Sequence, residues 1–163
     1  MTIYAFEAQE SWLPTAIGLT CGSVEFDADT ATLTITLYRA SFEPNSEQAE
    51  PERAISITGV WRVEQEDTIL AASGDLHDPE REALLDRLVG RELVRADVSH
   101  PGFDLALHFT GPFIVRGFPC DSLQFGEDPP EDDDIYVSWW VDGIGVPDDW
   151  EEPNEAFYAS REA

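Results

Sequence analysis

Residues 33–37 read LTITL, a strict alternation of apolar and polar side chains. Successive side chains of a β-strand point to opposite faces of the sheet, so this pattern predicts a strand with one buried and one solvated face. Residues 104–109 read DLALHF and repeat the alternation. Further candidate strands are separated by Gly, Pro, Asn and Asp; they span residues 55–57, 60–63, 113–115 and 135–141.

One clear helix is expected at about residues 79–89. Asp78 suits the N-cap, where a carboxylate accepts hydrogen bonds from free backbone N–H groups, and Pro79 suits the first helical position. An apolar stripe at helical spacing follows, formed by Leu84, Leu85, Leu88 and Val89. Gly90 is expected to end the helix in a left-handed conformation. Since strands outnumber helices and follow one another directly, we expect an α+β fold, mainly antiparallel β-sheet.

The apolar pattern repeats after 72 residues: residues 16–18 fall on 88–90, and 33–37 fall on 105–109. We therefore expect an internal duplication of a helix-turn plus β-meander unit, although any two amphipathic β-meanders align in a similar way. Later, Val60-Trp61 falls on Trp139-Trp140 at a shift of 79. We attribute the difference of seven residues to extra loop before Ile135 in the second copy.

The length of 163 residues is typical of one domain. We expect a single β-rich domain at 1–152, with pseudo-repeats at about 1–75 and 76–152, and an acidic C-terminal tail at 153–163. The first residues lack the basic and long apolar regions of a signal peptide, and no apolar run reaches the length of a membrane helix, so we expect a cytoplasmic protein. Cys21 and Cys120 form no CxxC motif and are expected to be buried free thiols.

The charge balance restricts the class of partner. The chain has 34 Asp and Glu against nine basic residues, all of them arginine, for a formal net charge of −25. A charge of this sign repels phosphate, which argues against direct binding to nucleic acid or to an anionic membrane. The balance favours a basic protein as the partner.

Motifs of the common enzyme classes are missing from the sequence. It contains no GxSxG, HExxH, Gly-rich phosphate loop or EF-hand pattern, so no catalytic residue, metal or cofactor is expected. One alternative is a small hydrolase or metal-dependent enzyme built on His77 with Asp75 and Asp78, because such a histidine could act as a base. Another alternative is a structural domain whose acidity reflects a high-salt host.

The segment between Arg116 and Arg161 combines thirteen carboxylates with several aromatic residues and has no basic residue. Carboxylates attract a cationic partner, and desolvated aromatic side chains anchor it. Adjacent strand residues point to opposite faces, so one of Trp139 and Trp140 is expected in the core and the other outside. Trp150, flanked by acids, is the best surface anchor. The expected partner-binding residues are Asp132, Asp133, Asp134, Trp139, Trp140, Asp148, Asp149, Trp150, Glu151 and Glu152.

The same acidic segment allows two other interpretations. Charge runs commonly form a solvated face that keeps a protein soluble. Clustered carboxylates also bind hard cations, so a calcium site at residues 132–134 is an alternative, although the spacing matches no dedicated loop.

Four motifs carry a family resemblance: Trp61-Arg62-Val63, ASGD at 72–75, LVG at 88–90 and DLALHF at 104–109. Across residues 60–115 the chain resembles small β-rich bacterial proteins of the toxin-immunity type. The resemblance implies an acidic cytoplasmic inhibitor of a basic toxin domain, and it assigns no functional residue. The hypothesis from the sequence is a non-enzymatic binding protein that blocks a basic partner, either a toxin or a nucleic-acid enzyme.

Overall fold

The computed structural model describes residues 9–39, 50–75, 78–100, 102–118, 139–144 and 146. In these residues, nine strands pair in antiparallel fashion into two sheets. The strands are β1 (Thr20–Asp27), β2 (Thr32–Tyr38), β3 (Arg53–Thr58), β4 (Val60–Gln65), β5 (Thr68–Ala72), β6 (Leu93–Ser99), β7 (Asp104–Phe109), β8 (Phe113–Phe118) and β9 (Trp139–Gly143). The helix α1 (Pro79–Leu85) lies between β5 and β6, and 3₁₀ turns span Leu13–Ala16, Ser73–Asp75 and Asp86–Leu88. The α+β, mainly antiparallel fold predicted from the sequence is confirmed.

The strand order exchanges one strand between the two halves of the chain. Sheet A has the order β1-β2-β3-β9, and sheet B has the order β5-β4-β8-β7-β6. Strand β9 comes from the end of the chain but completes the sheet of the first three strands. Strand β4 comes from the first half but pairs with β8.

Helix α1 begins as the sequence predicts and ends earlier. The Asp78 carboxylate accepts hydrogen bonds from the backbone N–H groups of Glu80 and Arg81, at 3.0 and 3.4 Å. The α-helix ends at Leu85, and a 3₁₀ turn continues the coil only to residue 88. Val89 is already extended (φ −60°, ψ 130°), because the chain turns here toward β6. The predicted span of 79–89 is therefore too long at its C-terminal end.

The hairpins β1–β2 and β6–β7 have the same register at an offset of 72 residues. A β-bulge interrupts β1 between Cys21 and Ser23, and another interrupts β6 between Leu93 and Arg95. Because a bulge adds one residue to one strand, its recurrence at the same offset is a more specific likeness than alternating hydrophobicity.

The two halves also contact each other through equivalent hydrogen bonds. The backbone N–H of Gly18 donates to the carbonyl of Leu93, and that of Gly90 donates to the carbonyl of Cys21, both at 2.8 Å. Both glycines have positive φ, at 92° and 85°, a conformation that side-chain-bearing residues adopt rarely. Each half therefore contacts the other as in a dimer with twofold symmetry, and the repeat in the sequence has this structural counterpart.

The pairing of the exchanged strands β4 and β9 gives an offset that differs from the shift of 79 residues predicted from the sequence. In the sheets, Ile57 pairs with Trp139 and Gly117 pairs with Trp61, which makes the two tryptophans equivalent at an offset of 78. The predicted shift of 79 is wrong by one residue, and such a slip would exchange the inward and outward faces of the strand. The predicted number of seven extra loop residues is also wrong, because the offset is 60 between β3 and β8 and 78 between β4 and β9. The second copy therefore has 18 extra residues between β8 and β9, the interval that contains the acidic stretch before Ile135.

The core lies between the inward faces of the two sheets. Trp61 and Trp139 are 3% and 0% exposed and belong to it. The Trp139 Nε1 donates to the carbonyl of Phe103 at 2.9 Å. The carbonyl equivalent to Phe103, that of Ala31, instead accepts from the N–H of Gly59 at 3.1 Å. The buried Trp61 Nε1 therefore has no hydrogen-bond partner among the described residues.

Among the described residues, no helix is both long enough and apolar enough to cross a membrane.

Candidate functional site

The outward side chains of sheet A form the first candidate site, which we call the acidic face. Side chains alternate along each strand, so the residues between the buried apolar ones all point outward. Many are hydroxyl residues, and two cross-strand pairs are hydrogen-bonded, Thr32 with Thr58 at 2.8 Å and Thr34 with Ser56 at 3.2 Å. The charged members are Glu25 and Asp27 on β1 and Asp142 on β9. Trp140 lies beside Asp142, three strands away from β1.

The adjacent tryptophans of β9 have separate roles. Trp139 is sealed in the core, and Trp140 points outward and is partly exposed. The Trp140 Nε1 donates to Oδ2 of Asp142 at 2.9 Å. This bond orients the indole ring along the strand and places an exposed carboxylate beside its edge.

The other predicted partner-binding residues lie outside the described part of the chain, and their role stays a prediction. They are Asp132, Asp133, Asp134, Asp148, Asp149, Trp150, Glu151 and Glu152. The proposed calcium site at 132–134 lies there as well.

The outward side chains of sheet B form a second candidate site, which we call the mixed face. At its centre, Oε2 of Glu64 accepts hydrogen bonds from Nε of Arg62, at 3.0 Å, and from Nε of Arg116. Partial burial acts to raise the pKa of Glu64, but the two guanidinium groups outweigh it and hold the pKa below its usual range. The Arg62 guanidinium also lies over the Phe118 ring, 5.2 Å from the centroid.

A second ion cluster lies on the same face between β6 and β7. Oδ2 of Asp97 accepts a hydrogen bond from Arg95 at 2.6 Å and lies 3.1 Å from Nε2 of His108. The spacing of Arg95 and Asp97, two residues apart on one strand, is visible in the sequence. The cross-strand approach of His108 depends on the register and could not be read from the sequence.

The two faces differ in charge. Three arginines and three carboxylates share the mixed face; they are Arg62, Arg95, Arg116, Glu64, Asp97 and Asp104. Within the described strands of sheet A, the charged outward side chains are all carboxylates. Just past the ends of β2 and β3, Arg39 and Glu52 form an exposed ion pair, in which Nε of Arg39 donates to Oε2 of Glu52 at 2.7 Å. The acid excess is therefore uneven over the described surface.

The residues of the alternative enzyme site are only partly described. Asp78 uses its carboxylate as the helix N-cap, a structural role. The backbone of Asp75 ends a 3₁₀ turn, and His77 lies outside the described residues. Within the described ranges, no group of three or more His, Cys, Asp or Glu side chains is arranged to hold a metal ion.

Cys21 is a buried free thiol. Burial raises its pKa to about 12, so the thiol stays protonated at neutral pH and is a poor nucleophile. Cys120 lies outside the described residues.

No protein-family model, no curated protein and no solved structure matches the chain. The resemblance to immunity proteins therefore stays a hypothesis, and the function has to be argued from the two outer faces.

Proposed function

We propose that this protein is a non-enzymatic inhibitor or immunity-type protein that binds and blocks a basic protein, either a toxin or a nucleic-acid enzyme. The observation that carries the proposal is the acidic face. Its charged side chains within the described strands are Glu25, Asp27 and Asp142, and Trp140 lies beside Asp142. A face of this composition is complementary to a cationic protein surface.

The physical argument has two parts. A net charge of −25 accelerates the encounter with a cationic partner, because long-range attraction raises the association rate. A partly exposed Trp140, held by its bond to Asp142, then supplies apolar contact area that is already oriented. Pre-orientation lowers the entropic cost of binding, so the complex dissociates more slowly.

The uneven charge distribution favours this function over acidity that reflects the host alone. A host-derived excess should spread over the whole surface. Instead, the mixed face balances Arg62, Arg95 and Arg116 against an equal number of carboxylates. The described strands of the acidic face carry no outward arginine, and Arg39 at their end is paired with Glu52. The difference supports one face keeping an excess of negative charge for a partner.

The test starts with capture of a partner from lysate at low salt and measures its association rate over a range of salt concentrations. We expect a basic protein whose own activity is inhibited by a stoichiometric amount of this chain. The association rate should fall steeply as salt rises, since the steering field is screened within about 10 Å at 0.1 M ionic strength. A rate that does not depend on salt would contradict electrostatic steering.

A triple variant tests the acidic segment that the sequence identified. Replacing Asp132, Asp133 and Asp134 by Asn should lower the association rate and leave the free energy of unfolding unchanged. Its matched control removes three exposed carboxylates that lie outside sheet A, by the substitutions Asp67→Asn, Glu82→Gln and Asp104→Asn. Equal effects of the two variants on the rate would show that net charge alone, and not its location, controls the encounter.

A further inference from the structure

We propose that Asp142 and Trp140 on the acidic face form a receptor site for an arginine side chain of the basic partner. The inference rests on the proposed function and names the chemical group that the acidic face recognises. It comes from a comparison of the two halves of the chain, whose outward positions are matched by the strand registers.

The registers give the equivalent positions. Ser56 lies opposite Trp140 in sheet A, and Arg116 lies opposite Arg62 in sheet B.

The two halves are then matched residue by residue. Because Trp61 and Trp139 are equivalent, the outward residue that follows each of them is also equivalent, so Trp140 of β9 matches Arg62 of β4. Two residues further along, Asp142 matches Glu64. By the offset of 60 between β3 and β8, Ser56 matches Arg116.

Sheet B contains the complete version of the site. A donor on β4, the Nε of Arg62, reaches the carboxylate of Glu64 two residues further along the strand, at 3.0 Å. A second donor, the Nε of Arg116, reaches the same carboxylate oxygen from the neighbouring strand. One carboxylate thus accepts one bond along its strand and one from an arginine across the sheet.

Sheet A retains the first half of this arrangement. The Trp140 Nε1 donates along the strand to Asp142 at 2.9 Å, in place of Arg62 and Glu64. The cross-strand arginine is missing, because Ser56 is too short to reach Asp142 and bonds instead to Thr34 at 3.2 Å. Among the described residues, Trp140 is the one hydrogen-bond donor to this exposed carboxylate.

The chemistry of the vacant position selects an arginine over a lysine. A guanidinium can donate two bonds to the Asp142 carboxylate and stack on the Trp140 ring at the same time. A lysine ammonium is a compact, strongly hydrated charge and cannot make the bidentate contact. Ser56, the equivalent of Arg116, is only 4% exposed, so the partner's arginine approaches the exposed Asp142 carboxylate from the solvent side.

The probes are an oligo-arginine peptide and an oligo-lysine peptide of equal length, titrated into the full chain by calorimetry. The variant is Asp142→Asn. Its matched control, Glu25→Gln, removes the same charge from the same face. Glu25 lies in register with Trp140 but three interstrand spacings away, a distance of roughly 14 Å. The indole N–H resonance of Trp140, assigned with Trp140→Phe, reports on the hydrogen bond to Asp142.

We expect the arginine peptide to bind more tightly than the lysine peptide and to shift the Trp140 indole resonance. Asp142→Asn should weaken arginine binding roughly tenfold or more, the scale of a charge-assisted bidentate contact, and Glu25→Gln about twofold or less. Ser56→Arg, which supplies the missing arginine internally, should weaken peptide binding as Asp142→Asn does.

Equal small losses in Asp142→Asn and Glu25→Gln would overturn the receptor site and leave the proposed function standing, because binding would then follow net charge. No binding of either peptide to the wild-type chain would overturn the proposed function, and the receptor site with it.

Discussion

Replacing Gly117 by Ala tests the packing at the centre of the molecule. A Cβ built on Gly117 would lie 2.9 Å from Cγ2 of Ile57 and 3.5 Å from its Cδ1. These two residues occupy equivalent positions on β3 and β8, and each is paired with one of the core tryptophans. The two halves meet here so closely that only one of the positions has room for a large side chain.

The sign of the expected change in the free energy of unfolding follows from two opposing contributions. Without a clash, Ala in a strand interior is more stable than Gly by about 0.5–1 kcal/mol, because it loses less backbone entropy on folding. Overpacking a close-packed core costs about 1–3 kcal/mol. We therefore expect Gly117→Ala to lower the free energy of unfolding by roughly 0.5–2 kcal/mol, a fall in Tm of about 2–4 °C per kcal/mol for a chain of this size.

Two background variants show whether Cγ2 causes the loss. Ile57→Val removes Cδ1 and keeps a carbon at the Cγ2 position, so Gly117→Ala should remain destabilising in that background. Ile57→Ala removes both carbons; it costs about 2–5 kcal/mol itself, but Gly117→Ala should then be neutral or stabilising. Urea unfolding of the six proteins, with Gly or Ala at 117 in the wild-type, Ile57→Val and Ile57→Ala backgrounds, measures the coupling. A stabilising Gly117→Ala in the wild-type background, or an equal cost in both backgrounds, would refute the assigned packing.

Three further predictions concern polar groups. Glu64→Gln should lower the free energy of unfolding by about 1–2 kcal/mol at pH 7. Because folding depresses the pKa of Glu64, this difference from wild type should disappear as urea unfolding is repeated at pH values falling through and below the usual glutamate range. With Cys120 replaced by Ser, Cys21 should not react with a thiol reagent at pH 8 until the chain is unfolded, and rapid labelling of the native protein would contradict its burial. Trp139→Phe should cost about 1 kcal/mol more than Trp61→Phe in urea unfolding, since of these two indoles only that of Trp139 donates a hydrogen bond to a described residue; equal costs would contradict this.

Much of the fold could be predicted from residues with a simple periodicity. The LTITL alternation at 33–37 lies inside β2, and the DLALHF stretch coincides with β7. The N-cap at Asp78 was also predictable, because capping is a local interaction between a side chain and the backbone of the next residues.

Strands with an interrupted alternation escaped prediction. Strand β1 reads TCGSVEFD, and the bulge after Cys21 changes the phase, so that Cys21 and Val24 point inward although they are three residues apart. Strand β5 reads TILAA and has no alternation. The exchange of β4 and β9 between the sheets also could not be read from the sequence, because strand order depends on long-range pairing and not on local pattern.

The candidate site was only partly accessible for the same reason. Two adjacent tryptophans show that one must point outward, but their order depends on the register of β9 with β3. The site at Asp142 needs two further long-range facts, the place of Ser56 opposite Trp140 and the equivalence of Ser56 to Arg116. Neither has a local sequence signal.

The contrast between inward and outward positions of the two halves supports the proposal that the function lies on the outer face of sheet A. Most equivalent inward positions keep their apolar character: Trp61 matches Trp139, and both are buried. The exceptions lie on β3 and β8, where Ile57 matches Gly117 and the buried Arg53 matches Phe113. Equivalent outward positions do not keep their character, since Arg116 matches Ser56 and a closed ion cluster matches an open carboxylate. Packing requires the inward likeness, because both sheets share one core. Packing does not require the outward difference, and solubility alone would be served by the same charges on both faces. Packing therefore does not explain why the acidic face differs from the mixed face, and this difference supports the proposed cationic partner.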